Sequence, residues 1–259
     1  MTCNFNLLRR LSIAIICFLF WWAVTATGTV APVLLPSPVA VTRALVELLA
    51  KGHLLTDLGT TARRVSFALI IGGGLGIPIG LLFGHKPKLY AWFEDLLHAL
   101  RSVPATCLFP LLLIVIGVGE SSIVVLAAYP CLLIFLVNAA SGAMLAEKSR
   151  IRQAEALGAT SFQVIKDVLF YESLPHLTAA LRTCVSYALV LIVAVEMFIG
   201  VGQYGIGRRV FDLQSNFQIP ETYAAILITG AFGILLNYLV SRLERHLLRW
   251  LPQSFGKST

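Results

Sequence analysis

The chain has 259 residues, of which 58% are hydrophobic and only 13% are charged, and its formal net charge is +7. Soluble domains carry about 25% charged residues, so this composition indicates an integral membrane protein. The basic residues cluster at the ends of apolar runs, which membrane topology explains without a nucleic-acid partner. The five cysteines lack the paired spacing of a disulfide framework or a zinc site, so we expect them to pack as small apolar residues.

The first apolar run extends from Leu11 to Thr27 and follows two arginines, as the apolar part of a signal peptide does. It contains Trp21 and Trp22, however, and no small-residue cleavage site follows it. We therefore interpret residues 1–30 as a retained N-terminal transmembrane helix.

The next stretch, residues 31–56, is predicted to be an external loop that contains a short interfacial helix. Ser37 followed by Pro38 matches an N-cap with proline at the first helical position, and the run ends at Lys51 and Gly52. We favour a simple connecting role for this helix.

Four further apolar runs are long enough to cross the bilayer core, which takes roughly 20 residues. A less regular run near 98–118 carries Arg101 and contains Pro104 and Pro110, which predicts a kinked span with its charged end at an interface. With the N-terminal helix, six spans are predicted. The four regular runs cover about residues 60–84, 121–146, 178–201 and 222–247.

Most lysines and arginines fall on one side of this six-span topology, together with both termini and the segment 148–175. The positive-inside rule then places both termini and that segment in the cytoplasm. The other side holds few basic residues, with two more near a span entrance: Arg43, Lys51, Arg208 and Arg209, then Arg63 and Arg64.

The second span carries glycines at four-residue spacing, namely Gly72, Gly76, Gly80 and Gly84. All four lie on roughly one helix face, where they let another backbone approach closely. This pattern is compatible with a helix at a moving interface and with ordinary tight packing, and packing is the commoner case.

The cytoplasmic segment has apolar residues at helical spacing on both sides of Gly158. Thr160 and Gln163 match a capping box, which predicts the start of a second short helix. The pattern is therefore helix, glycine turn, helix, with Pro175 ahead of the next span. Such a hairpin can also lie on the lipid surface. The apolar positions are Ile151, Ala154 and Leu157, then Phe162, Ile165 and Leu169.

Two polar residues lie within the predicted spans. Glu196 is an intramembrane acid, for which a structural or gating role and a hydrogen-bonded or wetted position near the outer interface are equally plausible. Asn138 is better explained by an interhelical hydrogen bond than by solute binding. Neither the histidines nor the acids form a metal-ligand or nucleophile motif, so a membrane-embedded enzyme and a passive channel remain as weaker alternatives.

The cytoplasmic segment resembles the coupling loop of binding-protein-dependent ABC transporter permeases, since Leu157-Gly158-Ala159-Thr160, Val168 and Pro175 fit its spacing. Further motifs look like the subfamily that serves nitrate, aliphatic sulfonates, taurine, bicarbonate and some vitamin precursors. The resemblance covers about residues 34–250. These motifs are Leu35-Pro36-Ser37-Pro38, Thr61-Ala62-Arg63-Arg64-Val65, Gly76-Ile77-Pro78-Ile79-Gly80, Arg101-Ser102-Val103-Pro104 and Phe109-Pro110-Leu111.

This resemblance implies an all-α, MetI-like permease domain over residues 57–250, with a cytoplasmic tail at 251–259, in a bacterial-type cytoplasmic (inner) membrane. It implies a second permease copy, most simply as a homodimer, a cytoplasmic ABC ATPase and an external solute-binding protein, all working in the lipid bilayer. The chain itself would hydrolyse no ATP and need no cofactor or metal. The carried solute would be a small anion, with a vitamin-precursor heterocycle as the alternative.

One departure from the family pattern concerns the ATPase contact. The family's Glu-Ala-Ala is Arg152-Gln153-Ala154 here, so a positive charge replaces an acid. We hypothesise that the ATPase presents an acidic groove to this loop. The residues expected to contact it are Arg152, Ala154, Leu157, Gly158, Ala159 and Thr160.

Overall fold

A computed structural model describes residues 2–50, 53–198 and 204–249, and all regular elements in these ranges are helical. The predicted all-α fold is confirmed. The tail 251–259, Lys51, Gly52 and the end of the run 178–201 lie outside the described residues. The helices are α1 (Thr2–Ala26), α2 (Pro38–Ala50), α3 (His53–His85), α4 (Pro87–Ser102), α5 (Phe109–Val115), α6 (Glu120–Met144), α7 (Lys148–Ala156), α8 (Ser161–Gln163), α9 (Phe170–Phe198), α10 (Ile206–Ser215) and α11 (Ile219–Leu247).

Four helices of the described part are long and apolar enough to span a membrane. They are Leu54–His85 in α3, α6, the continuous helix Ser161–Phe198, and α11, and they coincide with the four regular runs of the sequence. A fifth candidate is the pair α4 and Ala105–Val115, which bends by 81°. The helix α1 is 25 residues long, and its segment Ile15–Ala26 forms a shorter apolar helix.

The run near 98–118 differs from the single kinked span that the sequence predicts. Its first residues belong to the end of α4, a 3₁₀ turn follows at Ala105–Leu108, and α5 has only seven residues. Val103 and Pro104 have extended backbone at the bend. Pro104 disfavours helical geometry in the residue before it and supplies no N–H, so α4 ends there. The Tyr129 hydroxyl donates to the Leu100 carbonyl at 2.7 Å and fixes this bend against α6.

The second helix predicted for the segment 148–175 is not short. From the capping box it continues through a π-helical stretch at Val164–Leu169 into α9, so that Ser161–Phe198 is one helix. Pro175 lies inside α9, not ahead of a new span. No glycine or C-cap follows the capping box to end the helix, and membrane helices tolerate an internal proline.

The core is centred on α6, which lies between α3 and α9. The glycine row of α3 contacts it: a Cβ added to Gly76 would lie 2.5 Å from the Leu132 carbonyl oxygen, and one added to Gly72 would lie 2.7 Å from Cys131 Cβ. Gly80 and Gly84 meet the next turns of α6 in the same way. Backbone atoms, not flexible side chains, therefore set the spacing of these two helices.

The helix α2 does more than connect α1 to α3. Its N-cap is confirmed, since the Ala40 N–H donates to Ser37 Oγ at 3.2 Å. Val41 and Ala44 are buried against Ala224 of α11, so α2 is part of the packed bundle. The amphipathic sequence gave α2 an apolar stripe, and α11 covers it.

The described cysteines follow the expectation only in part. Cys131 and Cys184 are fully buried where α6 crosses α9, whereas Cys17 and Cys107 are exposed.

Candidate coupling surface and buried ion network

The first candidate site is the turn between α7 and α8. Gly158 has a φ of +82° and nothing lies within 4 Å of an added Cβ, so backbone conformation and not space calls for glycine here. The capping box is confirmed: the Thr160 N–H donates to Gln163 Oε1 at 2.8 Å, and the Gln163 N–H donates to Thr160 Oγ1 at 3.4 Å. The turn is thus fixed from both sides.

The apolar residues of this segment divide into two groups. Ile151, Ala154 and Ala159 pack against the core. Leu157 is 89% exposed and Phe162 is 73% exposed, although both follow the same helical spacing. The reason is that α7 ends at Ala156, so Leu157 already lies in the turn and leaves the buried face.

The charged residues of α7 have unequal surroundings. Arg150 pairs with Glu147 and with Glu172, which ties α7 to α9. Arg152 is exposed, and its hydrogen bond within the described part of the chain goes to the Lys148 carbonyl of its own helix, at 3.3 Å. Beside them, a groove of about 400 Å³ lies between α7 and the following helix. Its lining comprises Arg150, Gln153, Ala154, Leu157, Asp167, Val168, Tyr171 and Glu172.

The second candidate site is an ion network at the opposite end of α6. Arg64 and Glu196 have side chains only 1% exposed, and Arg64 Nη1 lies 2.5 Å from Glu196 Oε1. The same carboxylate accepts hydrogen bonds from Thr61 Oγ1 at 3.0 Å and from the Gly207 N–H at 2.9 Å. Its hydrogen-bonding capacity is therefore met entirely by protein, as a buried charge requires.

Arg64 also bonds to a second carboxylate. Its Nε donates to Glu120 Oε2 at 3.1 Å and its Nη2 donates to the other oxygen of that group, a bidentate arrangement. Arg63 reaches the same Glu120 at 3.2 Å from the exposed side. One buried guanidinium thus joins α3 to the start of α6 and to α9.

The network continues into the chain before α10. Asp57 accepts from the Gly205 N–H at 3.1 Å and from Arg209 Nε at 2.8 Å. Gly205 has a φ of +148°, and a Cβ there would lie 2.7 Å from Glu196 Cδ, so no larger residue fits. These bonds fix the N-terminus of α10 to α3 and α9.

Of the two intramembrane residues singled out from sequence, Glu196 lies in this network, where it is hydrogen-bonded and its side chain is buried. Asn138 donates to the Ile134 carbonyl of its own helix at 2.8 Å, and the described contacts of Asn138 include no interhelical hydrogen bond. The interhelical hydrogen bond therefore stays a prediction, since a helical asparagine also reaches the carbonyl one turn back.

Sequence reasoning missed the partners of Glu196. A span assumed to begin near residue 60 put Arg64 at its entrance, whereas α3 begins at His53 and carries Asp57, Thr61 and Arg64 into the bundle. The available signal was the pairing rule for intramembrane charges, which requires a cation for Glu196. In the described ranges, no three metal-binding side chains converge.

The chain shows clear similarity to known proteins. A permease of Bacillus subtilis named for aliphatic sulfonates is 26% identical over 247 residues, which cover 95% of this chain and 89% of the relative. The taurine transport system permease of Escherichia coli is 26% identical and covers 89% of this chain and 85% of its own. The methionine ABC transporter MetNI, solved in inward-facing conformations, contains a chain with a TM-score of 0.61 at 19% identity, covering 75% of this chain and 95% of that one.

The solved transporter shows the fold, and the MetI-like architecture predicted from sequence is confirmed. The family described as binding-protein-dependent transport system inner membrane component matches residues 76–252. The chain therefore belongs to this family and is the permease subunit of an ABC importer, not an enzyme.

Proposed function

We propose that this permease imports a small anion of the sulfonate, taurine, nitrate or bicarbonate type. Two copies form the path, a separate ATPase drives it from the cytoplasm, and an external binding protein delivers the solute. The solute class is supported by the similarity to permeases named for aliphatic sulfonates and taurine. The coupling to an ATPase is supported by the exposed Leu157 and Phe162 at a capped turn, within a chain of this family.

The distribution of basic residues supports an orientation. The positive-inside rule counts lysines and arginines near the ends of the spans, and acids contribute little to it. The Met144 end of α6 carries more of them than the Glu120 end, which supports a cytoplasmic position for the α7 end and for both termini. Near the Met144 end these are Lys86, Lys88, Lys148, Arg150, Arg152, Lys166, Arg242, Arg245 and Arg249, and near the Glu120 end they are Arg43, Arg63, Arg64, Arg208 and Arg209.

The ATPase contact is assigned to the turn after α7. Large apolar side chains exposed beside a groove favour a partner that buries them. Gly158 lets the turn adopt its positive φ without strain. The unneutralised Arg152 favours an acidic partner surface. Arg152, Ala154, Leu157, Gly158, Ala159 and Thr160 form the proposed contact.

Co-purification with the ATPase tests this contact. A Gly158→Ala variant forces an alanine into left-handed backbone and is expected to lose the ATPase from the detergent-purified complex. Gly117→Ala is the matched control, since Gly117 also has a positive φ, of +93°, and open space for a Cβ, but lies before α6 at the other end of the bundle. Equal ATPase recovery from both variants would contradict the assignment.

Charge reversal tests the acidic groove. Arg152→Glu should uncouple transport from ATP hydrolysis, because the new carboxylate faces like charge. Since Arg152 makes no ion pair among the described residues, the folded permease should keep its stability. Unchanged ATP-driven uptake in this variant would count against an acidic partner surface.

The solute class is tested by uptake into proteoliposomes that contain permease, ATPase and binding protein. Taurine, an aliphatic sulfonate, nitrate and bicarbonate are compared with a thiamine-precursor heterocycle at equal concentration. ATP-dependent uptake of one of the anions supports the proposal. Uptake of the heterocycle alone would contradict the anion proposal and support the vitamin-precursor alternative, while the role as a permease would still hold.

A further inference from the structure

A hollow that the transport function does not use lies where α3 passes into α4. It has a volume of about 680 Å³ and is lined by Lys86, Pro87, Lys88, Leu89 and Trp92. Trp92 is 87% exposed, and both lysines are exposed. An indole standing free beside two ammonium groups is an unusual feature of a surface that faces only water.

The helix α4 has the pattern of a helix that lies along a membrane surface. Leu97 is buried and Leu89 packs beside it. At 100° per residue, Trp92 and Leu96 extend this apolar arc, while Glu94 and His98 lie on the opposite side. The chain then bends by 81° into Ala105–Val115, so α4 does not continue the direction of the segment that follows it.

We expect the hollow to lie at the depth of the lipid headgroups, because it follows the end of a candidate span. The candidate span of α3 ends at His85, directly before Lys86. Tryptophan and lysine are the residues that flank spans at this depth, with the indole at the headgroup level and the ammonium reaching toward phosphate. This placement holds whichever way the chain is oriented.

The two lysines carry uncompensated charge. Among the described residues neither Lys86 nor Lys88 has an acid within ion-pair distance. The acids nearest along α4 are Glu94 and Asp95, and Glu94 lies six residues beyond Lys88, about 9 Å along the helix axis. The lining of the hollow itself is apolar apart from the lysines.

We propose that this hollow binds an anionic phospholipid, with its phosphate at Lys86 and Lys88 and the start of its acyl chains against Leu89 and Trp92. The chemistry of the lining matches each part of such a lipid, an anionic head and apolar tails. A second protein surface fits less well, because buried interface cores are depleted of lysine and these two would need acidic partners. The site goes beyond the transport function and does not depend on its solute.

Tryptophan quenching by brominated lipid tests the site, because Trp92 lies in it. The full chain carries four tryptophans, so the variant Trp21→Phe, Trp22→Phe, Trp250→Phe leaves Trp92 as the sole reporter. It is reconstituted in vesicles in which about 10% of the lipid is brominated, either as phosphatidylglycerol or as phosphatidylcholine. Stronger quenching by brominated phosphatidylglycerol is expected.

Neutralising the lysines gives the decisive comparison. Lys86→Gln/Lys88→Gln should lower the preference for phosphatidylglycerol roughly thirtyfold and equalise the quenching by the two lipids. The control Lys148→Gln/Lys166→Gln removes the same charge elsewhere and should keep the preference. Native mass spectrometry of the unlabelled wild-type protein provides a second readout, with retained phosphatidylglycerol expected in wild type and control only.

Three results would overturn the proposal. Equal quenching by both lipids in the reporter with its lysines intact would mean ordinary lipid contact. Absence of quenching by either lipid would mean that protein covers Trp92, from a second copy or another subunit. A preference that survives Lys86→Gln/Lys88→Gln would place the anionic lipid elsewhere.

Discussion

The contact between α3 and α6 makes a quantitative prediction for Gly76→Ala. The added Cβ would lie 2.5 Å from the Leu132 carbonyl oxygen and 3.0 Å from Phe135 Cβ, where ordinary contacts begin at 3.4 Å. The backbone carbonyl of Leu132 cannot move aside as a side chain can, so the two helices must separate by about 1 Å. Such a gap removes about a quarter to a half of the dispersion energy of each contact along it. Overpacking of this kind costs about 1–3 kcal/mol.

Gly74→Ala is the matched control, because nothing lies within 4 Å of a Cβ at that position of the same helix. Both variants gain the same helix propensity, so their difference isolates the overpacking. We expect the Gly76→Ala midpoint to lie about 4–8 °C below that of Gly74→Ala, from a difference of about 2 kcal/mol. Thermal unfolding of the purified permease in one detergent measures this difference, and equal midpoints would refute the close contact.

ATP-driven uptake, measured below both midpoints, then separates tight packing from a moving interface. If the interface moves during transport, the folded Gly76→Ala variant should lose transport; if it only packs, transport should be kept.

Two further predictions concern the ion network and α2. Glu196→Gln leaves Arg64 partly unpaired in a buried site and should cost about 3 kcal/mol, whereas Glu244→Gln breaks a pair with a half-exposed arginine and should cost under about 1 kcal/mol. Equal shifts in midpoint would show that burial of the network is unimportant. Ser37→Ala removes the N-cap of α2 and should cost about 1 kcal/mol, while Ser66→Ala, which loses only a bond to its own helix, should change stability by under about 0.5 kcal/mol. A Ser37→Ala midpoint equal to that of Ser66→Ala would contradict the capping role.

The sequence predicts the coupling turn well because every signal in it is local. Gly158 and the Thr160–Gln163 box determine backbone geometry within a few residues. The span count rests on length and hydropathy, which are equally local. What cannot be predicted in this way is the pairing of Arg64 with Glu196, which lie 132 residues apart and meet only because α3 and α9 both pack on α6.

The helical spacing of the sequence also fails to predict that Leu157 is exposed. Helical spacing assigns it to the same face as Ile151 and Ala154, and only the end of α7 at Ala156 separates them. Helix ends depend on competition between the next turn and the cap, which periodicity does not register. The run near 98–118 illustrates the same point, since hydropathy is continuous across a bend of 81°.

The helix Ser161–Phe198 links both candidate sites, which constrains how the protein moves. It begins at the capping box beside Phe162 and carries Glu196 into the ion network near its other end. A rigid tilt would pull Glu196 from Arg64 at a cost of about 3–5 kcal/mol. Bending near Pro175 costs less, because proline donates no backbone hydrogen bond and the π-helical stretch at Val164–Leu169 precedes it.

We therefore expect the part of this helix near Phe162 to bend during transport while the end near Glu196 stays fixed. Spin labels on Phe162→Cys and Val190→Cys test this, because both positions are exposed and lie on either side of Pro175. Cys3, Cys17 and Cys107 are first replaced by serine so that the labels attach only at the two chosen positions. Their backbone separation in a straight helix is about 42 Å. The measured distance should change between the ATP-bound and ATP-free complex. A constant distance accompanied by transport would mean that the helix moves as a rigid rod, and the ion network would then have to open in every cycle.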